Sequence, residues 1–419
     1  MMRGMSVFLV AVALLATMGS AVADEVRGKI EEESDGWLET IDTVIDVKPG
    51  GTLRLDSDRG GIEVDSEDRK GVRVIVEKKV DSYTEEEARR VLQHYTVDIS
   101  TSGEDVDVTT ESDNGRRTRS LEVSLRVIVP TRYNVDVQTG GGGIEIADLE
   151  GNVKARTSGG GIEVGHIRNG SVQVRTAGGG IDIAGIEHGN GDAETSGGGI
   201  TVGDVTGDLT VRTAGGGIEV GAVRGNLEAH TSGGGIEIGQ GQGTVNAQTG
   251  GGGIRVDGSG GAIVVRTSGG GIEIEEAGGP VIAETSGGSI KLRGAAGPVE
   301  VRTSGGGIAL TDIHGSIEAH TAGGGISADL AISDPDVDTH CTLETAGGDI
   351  TISLPADLKA TVDAELRLSS ARRKYRITSD FPLDIDDSSR RIVAQGKLNG
   401  GGDLIRLRTT NGDIKIKQR

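Results

Sequence analysis

Three consecutive glycines followed by isoleucine recur along this chain, as in Arg156-Thr-Ser-Gly-Gly-Gly-Ile-Glu-Val164. Such turns are where chemistry is sought first, because bare backbone N–H groups can cradle a phosphate or, beside aspartates, frame a calcium site. A phosphate loop needs a helix behind it, with its N-terminus facing the anion. Here the alternation of Ile162 and Val164 announces a strand. The calcium nonapeptide G-G-x-G-x-D-x-U-x requires a regularly placed aspartate, which Gly-Gly-Gly-Ile-Glu-Val-Gly-His-Ile lacks. The seven histidines are scattered with no H-x-x-x-H pair, and His230 and His320 lie 90 residues apart. The glycines therefore carry no catalytic reading.

Charged columns are the remaining candidates. After each repeated isoleucine stand Glu145, Glu163, Asp182, Thr201, Glu219, Glu237, Arg255, Glu273 and Lys291. Neighbouring carboxylates such as Glu145/Glu163 or Glu219/Glu237 suit weak divalent-cation binding; the plainer reading is a solvated face. A second column comprises Arg156, Arg175, Glu194, Arg212, His230, Gln248, Arg266, Glu284, Arg302 and His320. A less favoured enzymatic reading places a site in the aperiodic C-terminal segment around Arg372, Arg373, Asp384, Asp386 and Asp387. The simpler reading of that segment is a capping loop, so no catalytic, cofactor-binding or metal-ligating residue is assigned.

The elements that position these columns follow from the period. Ile144, Ile162, Ile181, Ile200, Ile218, Ile236, Ile254, Ile272, Ile290, Ile308 and Ile326 are spaced 18 residues apart eight times and 19 twice. Degenerate copies at Ile62, Ile350 and Ile414 bring the total to 14. The pairs Ile162/Val164 and Val172/Val174 have period two, so each unit is two short strands joined by corners. A uniform period of this kind predicts an all-β chain, a parallel β-solenoid with 18-residue coils and capped ends. At about 4.8 Å per coil, 14 coils make a rod of roughly 65 Å.

The period also excludes enzymes built on solenoids. Hexapeptide acyltransferases need an aliphatic residue every six positions, whereas Glu150, Arg168, Glu187, Thr206 and Arg224 stand six after the isoleucine. Polysaccharide-cleaving solenoids carry long loops and aromatic platforms; aromatics are 2% of this chain, and the coils from 144 to 326 lack both.

The glycines keep a strict hierarchy. Two residues before the isoleucine the residue is glycine in all 14 copies, from Gly60 through Gly412. One residue before, Ser289, Asp349 and Asp413 are tolerated, and three before, Arg59 and Asn411. The middle position therefore requires positive φ or a close approach between coils. A threonine column, Thr139 through Thr345 and Thr409, shares the parity of the apolar residues and should point inward, with stacked hydroxyls bonding along the rod. An ice-binding face would need those threonines outside. Cys341 takes an apolar position and reads as core.

Residues 1–23 have one arginine, a short apolar run and Ala21-Val22-Ala23, the pattern of a secretory signal peptide. Its removal takes one arginine and no acid, moving the formal charge from −21 to −22. That charge opposes nucleic-acid binding, and a single cysteine cannot form an internal disulfide. No later run is long enough to span a membrane. The expectation is an exported protein: periplasmic, cell-surface or secreted. Residues 24–139 form an N-terminal cap with one degenerate coil and a helix over about 84–95, opened by the capping box Thr84-Glu-Glu-Glu87. Regular coils span 140–330, and irregular coils with a cap span 331–419.

The order of parts carries a resemblance. A leader precedes Leu53-Arg-Leu-Asp-Ser-Asp-Arg-Gly-Gly-Ile-Glu-Val64; a Val129-Pro130 strand then enters the coils, and Gly-Asp-Ile motifs close the chain. This resembles the bacterial putative adhesin family of β-strand-repeat proteins, related to head-GIN adhesin domains, over nearly the whole mature chain. The resemblance implies a single-stranded, right-handed β-solenoid with no known catalytic residues or cofactor. It also implies a protein or cell-surface partner for a non-enzymatic structural or binding scaffold. The departure here is Gly-Gly-Gly-Ile in place of Gly-Asp-Ile through an unusually long central array.

Overall fold

The computed structural model describes residues 24–25, 27–113, 120–331, 337–369, 375–387 and 390–419. The expected leader, Arg372 and Arg373 lie outside the described residues. The chain folds as a parallel β-solenoid whose coils each supply one strand to two facing sheets. In the threonine sheet, Val172–Thr176 lies parallel between Val153–Thr157 and Gly191–Thr195, with Thr157, Thr176 and Thr195 in register. In the isoleucine sheet, Ile162–Arg168 stacks so that Ile144, Ile162 and Ile181 align. Alternation breaks at Gly165 and His166, and the strand turns a corner to bring Ile167 inward. The resulting six inward positions per coil, such as Ile162, Val164, Ile167, Val172, Val174 and Thr176, are all buried. No single coil can bury both its own faces, so stacking supplies the core.

The corner geometry settles why the middle glycine is obligatory. A Cβ on Gly160 would meet the backbone of Gly142 at 2.3 Å, and one on Gly216 would meet the Gly198 carbonyl at 2.3 Å. Only the first two middle glycines, Gly60 and Gly142, combine this crowding with positive φ, at 93° and 129°. Close approach of successive coils is the general cause. The third glycine is looser: a Cβ on Gly217 comes no nearer than 3.3 Å to Gly235, which accounts for Ser289, Asp349 and Asp413 at that position.

The threonines point inward as expected, but their hydroxyls do not bond to one another. Each donates to the carbonyl of the middle glycine one coil earlier: Thr176 to Gly160 at 2.7 Å, Thr231 to Gly216 at 2.7 Å, Thr409 to Gly348 at 2.7 Å. The corner carbonyl faces the core side and has no strand partner there, so the hydroxyl satisfies a buried acceptor. A second glycine column, unread in the sequence, lines the opposite corner. A Cβ on Gly170 would lie 2.0 Å from the Gly151 carbonyl, and one on Gly189 1.9 Å from that of Gly170.

The ends depart from chain order. At the N-terminal end, the coil made by Thr52–Ser57 and Gly61–Glu67 lies beneath Asn134–Thr139 and Ile144–Ile146. Its other side is covered by Asp105–Ser112 and Leu121–Pro130, also parallel. Antiparallel strands then close the stack: Tyr95–Ser102 on one sheet, and Val72–Val80, Gly36–Ile45 and Lys29–Glu33 on the other. The helix spans Glu85–Leu92 with Thr84 accepting from the Glu87 N–H, and it ends earlier than the expected residue 95. Tyr95 instead begins a strand, its ring buried and its hydroxyl 2.8 Å from Thr110 Oγ1. Nearby, Lys78 and Glu39 form a buried ion pair at 2.6 Å.

The C-terminal end repeats the device. Asp403–Thr410 and Ile414–Gln418 stack directly on Cys341–Thr345 and Ile350–Leu354. The earlier segments Ala360–Arg367 and Ile377–Ser379 lie outside them, so the last coil in sequence is not the last in space. Arg391–Leu398 and then Asp384–Asp386 extend the threonine sheet antiparallel to its edge.

Candidate functional site

The isoleucine face carries the first candidate. Because the coils stack in register, Glu63, Glu145, Glu163 and Asp182 form one continuous row of carboxylates. After Thr201, Glu219 and Glu237 continue it, again in register. Glycine or alanine flanks the row on both sides, Gly143, Gly161 and Gly180 before it and Ala147, Gly165 and Ala184 after it, so the carboxylates stand over bare backbone. A shallow groove of about 750 Å³ runs along Glu63, Glu145, Glu163, Asp182 and Thr201.

The same face changes character beyond Glu237. Arg255 reaches Asp257 at 3.0 Å, Glu273 at 3.1 Å and Glu275 at 3.3 Å. Arg293 meets Glu273 at 3.3 Å and also pairs with Glu275. In the acidic half, among the described residues, only Glu63 of the row has an ion pair, with Arg126 at 3.5 Å. Exposed carboxylates aligned one strand apart repel each other modestly in water, and among the described residues no ion pair relieves Glu145, Glu163, Asp182, Glu219 or Glu237.

The predicted pairs Glu145/Glu163 and Glu219/Glu237 are thus neighbours in space, but in a line. A calcium ion takes six to eight oxygens at about 2.3–2.6 Å, and a single row does not wrap around one. Among the described residues, no group of three or more His, Cys, Asp or Glu is arranged to hold a metal ion.

The threonine face carries a different ladder. Arg266 donates to Glu284 at 2.9 Å, Arg302 to Glu318 at 2.7 Å and also to Glu300, and His320 lies 3.0 Å from Glu318 and 3.4 Å from Glu344. The hydrogen bond from His320, with help from Arg302, holds the Glu318 carboxyl below its ordinary range. Grooves of about 620 and 480 Å³ follow this ladder toward the C-terminal cap, floored by threonine and serine. These charges are paired with one another along the ladder.

Of the C-terminal residues considered as an enzyme site, Arg372 and Arg373 lie outside the described residues. Asp384, Asp386 and Asp387 are exposed, the first two on an edge strand, and they line none of these grooves. Cys341 is fully buried, and desolvation pushes its thiol up to about 12, so it stays protonated and inert. Sequence reasoning missed Glu365, a buried carboxylate on Ala360–Arg367 held down to about 2, chiefly by hydrogen bonding from Arg391 and then Arg367. Its chief partner, Arg391, comes from another strand, so no local spacing marked it.

A family model described as Toastrack DUF4097 matches residues 60–259 and again 244–417. The chain belongs to the Toastrack family. Its two matches together run from the first glycine-marked coil to the last. Among solved structures, the chain is similar to a putative cell adhesion protein from Clostridium sporogenes, at 7% identity over 91% of this chain and 100% of that one, with a TM-score of 0.17. It is also similar to a putative adhesin from Bacteroides fragilis, at 13% identity over 61% and 97%, TM-score 0.24. A putative adhesin from Parabacteroides distasonis gives 13% over 67% and 97%, TM-score 0.23. These scores are too low to carry an argument. No curated protein matches the chain. Among the described residues no helix is long and apolar enough to cross a membrane. The chain is a Toastrack β-solenoid.

Proposed function

We propose that this scaffold is exported and non-enzymatic, and that the acidic half of its isoleucine face docks a cationic partner at the cell surface, in the periplasm or after secretion. The observation that carries this reading is the contrast along one face. Glu145, Glu163, Asp182, Glu219 and Glu237 stand exposed with no ion pair among the described residues, whereas Glu273 and Glu275 are each bridged by two arginines. A row of like charges over a glycine floor leaves space and field for a cationic chain to lie along it. The leader-like residues 1–23 support export; fractionation of the expressing cells tests it directly.

The docking test is a titration of a labelled oligolysine peptide at low and high salt. The triple variant Glu145→Gln, Glu163→Gln, Asp182→Asn should weaken binding about tenfold, while Glu273→Gln should not. Equal binding by both variants contradicts the proposal. Divalent-cation stabilisation is the competing reading of the same row. A melting temperature unmoved by calcium removes it.

A further inference from the structure

The isoleucine face is acidic toward one end and carries lysines toward the other. From Glu163 to Lys415 its outward row passes through twelve levels, each in register with the next. The two halves of this row are complementary when one is taken in reverse. The first level is Glu163 and the last Lys415; the fifth is Glu237 and the eighth Lys291; the sixth and seventh are Arg255 and Glu273. Asp182 and Glu219 have Thr351 and Ala309 as counterparts, and Thr201 has Ser327. No level meets a counterpart of like charge.

Like Glu163 and Glu237, Lys291 and Lys415 have no ion pair among the described residues. The acids beside Lys415 are turned to backbone: Asp349 accepts from the Asp413 N–H at 2.7 Å, and Asp413 from the Arg376 N–H at 3.0 Å. Two residues beyond the lysines stand Arg293 and Lys417, whereas two residues beyond Glu237 and Glu163 stand Gly239 and Gly165. The long cationic side chains therefore have bare backbone as their counterparts.

We propose that the partner of this face is a second copy of the chain, with the two rods packed face to face and antiparallel about a two-fold axis parallel to the strands. This rests on the docking function proposed above and names its cationic partner. Such an axis reverses the order of levels and preserves strand direction. Glu163 then lies over Lys415 of the second copy and Glu237 over its Lys291, and each contact occurs twice. At the centre, Arg255 lies over Glu273. The register is specific. A slip of one level sets Glu237 over Glu273 and Arg255 over its own symmetry mate; the opposite slip sets Lys291 over Arg255 and Glu273 over its mate. An axis along the rods would set Glu163 over Glu163. Like charges held together across an interface disfavour these alternatives. Twelve levels of about 4.8 Å and strands about 10 Å wide bury roughly 1,100 Å² in total, the low end for specific association. The dimer is accordingly weak and sensitive to salt.

The test is sedimentation equilibrium of the full chain over a range of concentrations, at low and high sodium chloride. We expect a reversible dimer at low salt that dissociates at high salt. Glu163→Lys and Lys415→Glu should each weaken it about tenfold or more. The double variant carrying both should return to within about threefold of the parent, because the exchanged charges face each other. Glu237→Lys with Lys291→Glu repeats the exchange nearer the axis, and serves if circular dichroism shows that a variant of the first pair does not fold. A chain that stays monomeric at low salt overturns the proposal. So does a dimer that neither single reversal weakens, or that the double variant does not restore. Oligolysine binding by a monomeric parent overturns the dimer alone, and absence of both removes the docking function with it.

Discussion

The middle of the rod and its two ends solve the same stacking problem differently. In the middle, Ile218 stacks between Ile200 and Ile236, so each coil finds its neighbour one repeat away. At the C-terminal end, Ile350 stacks on Ile414, and Ile414 on Ile377. At the N-terminal end, Leu53 pairs with both Val135 and Val106. The corner contacts are nonetheless the same: Thr409 bonds to Gly348 as Thr231 bonds to Gly216. The difference teaches that the glycine–threonine corner is a rule about adjacent levels in space, indifferent to how far apart they lie in the chain. Interleaving ties a distant segment into each end, where a repeat stack would otherwise fray and expose strand edges.

The largest expected effect breaks that equivalence or confirms it. Gly216→Ala puts a Cβ 2.3 Å from the Gly198 carbonyl and should cost about 3 kcal/mol or more, since rigid backbone must move. Gly412→Ala, 1.9 Å from the Gly348 carbonyl, should cost at least as much despite its remote partner, whereas Gly217→Ala should cost about 1 kcal/mol or less. Urea midpoints rank the three; a mild Gly412 variant would mean that the ends do not obey the corner rule.

Acid separates the C-terminal cap from the middle. The folded Glu365 carboxyl sits at about 2 against an ordinary value of 4.5. A depressed carboxyl stabilises the fold above its unfolded value and loses that contribution as pH falls from about 4.5 toward 2. The cap should therefore loosen first in that window, read as early hydrogen exchange of 360–367 and 391–398, and Arg391→Gln should move the loss to higher pH. Uniform exchange along the rod would contradict this.

Smaller effects test the corner and the face. Thr231→Val removes the donor to Gly216 without changing shape and should cost about 1–2 kcal/mol, leaving a buried carbonyl unsatisfied. The last contrast is one of sign. Glu163→Gln relieves a row of like charges and should stabilise by a few tenths of a kcal/mol. Glu273→Gln removes a carboxylate shared by Arg255 and Arg293 and should destabilise by a similar amount. Chemical denaturation of the pair decides whether the two halves of the isoleucine face differ electrostatically as described.

The sequence was most legible where partners are one period apart. The two strands per unit, the inward parity of Thr176 and Val174, the buried Cys341 and the hierarchy of the three glycines all follow from spacing, because each contact repeats at the same offset. What spacing could not show was the partner of the threonine hydroxyl, since a corner carbonyl has no side-chain signature. It also hid the position of 403–418 between 341–354 on one side and 360–367 and 377–379 on the other, because nothing local in Ile414 names Ile350 or Ile377 as its neighbour. The helix ended short of residue 95 for the same reason: Tyr95 is claimed by a strand partner and a buried hydroxyl network. The acidic row was legible as a column, and its isolation from arginine was not, since that depends on which side chains reach across levels.

The central claim is that middle coils are interchangeable while end coils are not. Removing residues 219–236 joins Ile218 to Glu237 in register and deletes one complete 18-residue coil. The decisive measurement is a thermal melt followed by far-UV circular dichroism on this variant. The account predicts a folded β protein with a cooperative transition within a few degrees of the parent. An unfolded or aggregated product, with the glycine and threonine contacts of the flanking coils intact by design, would contradict it.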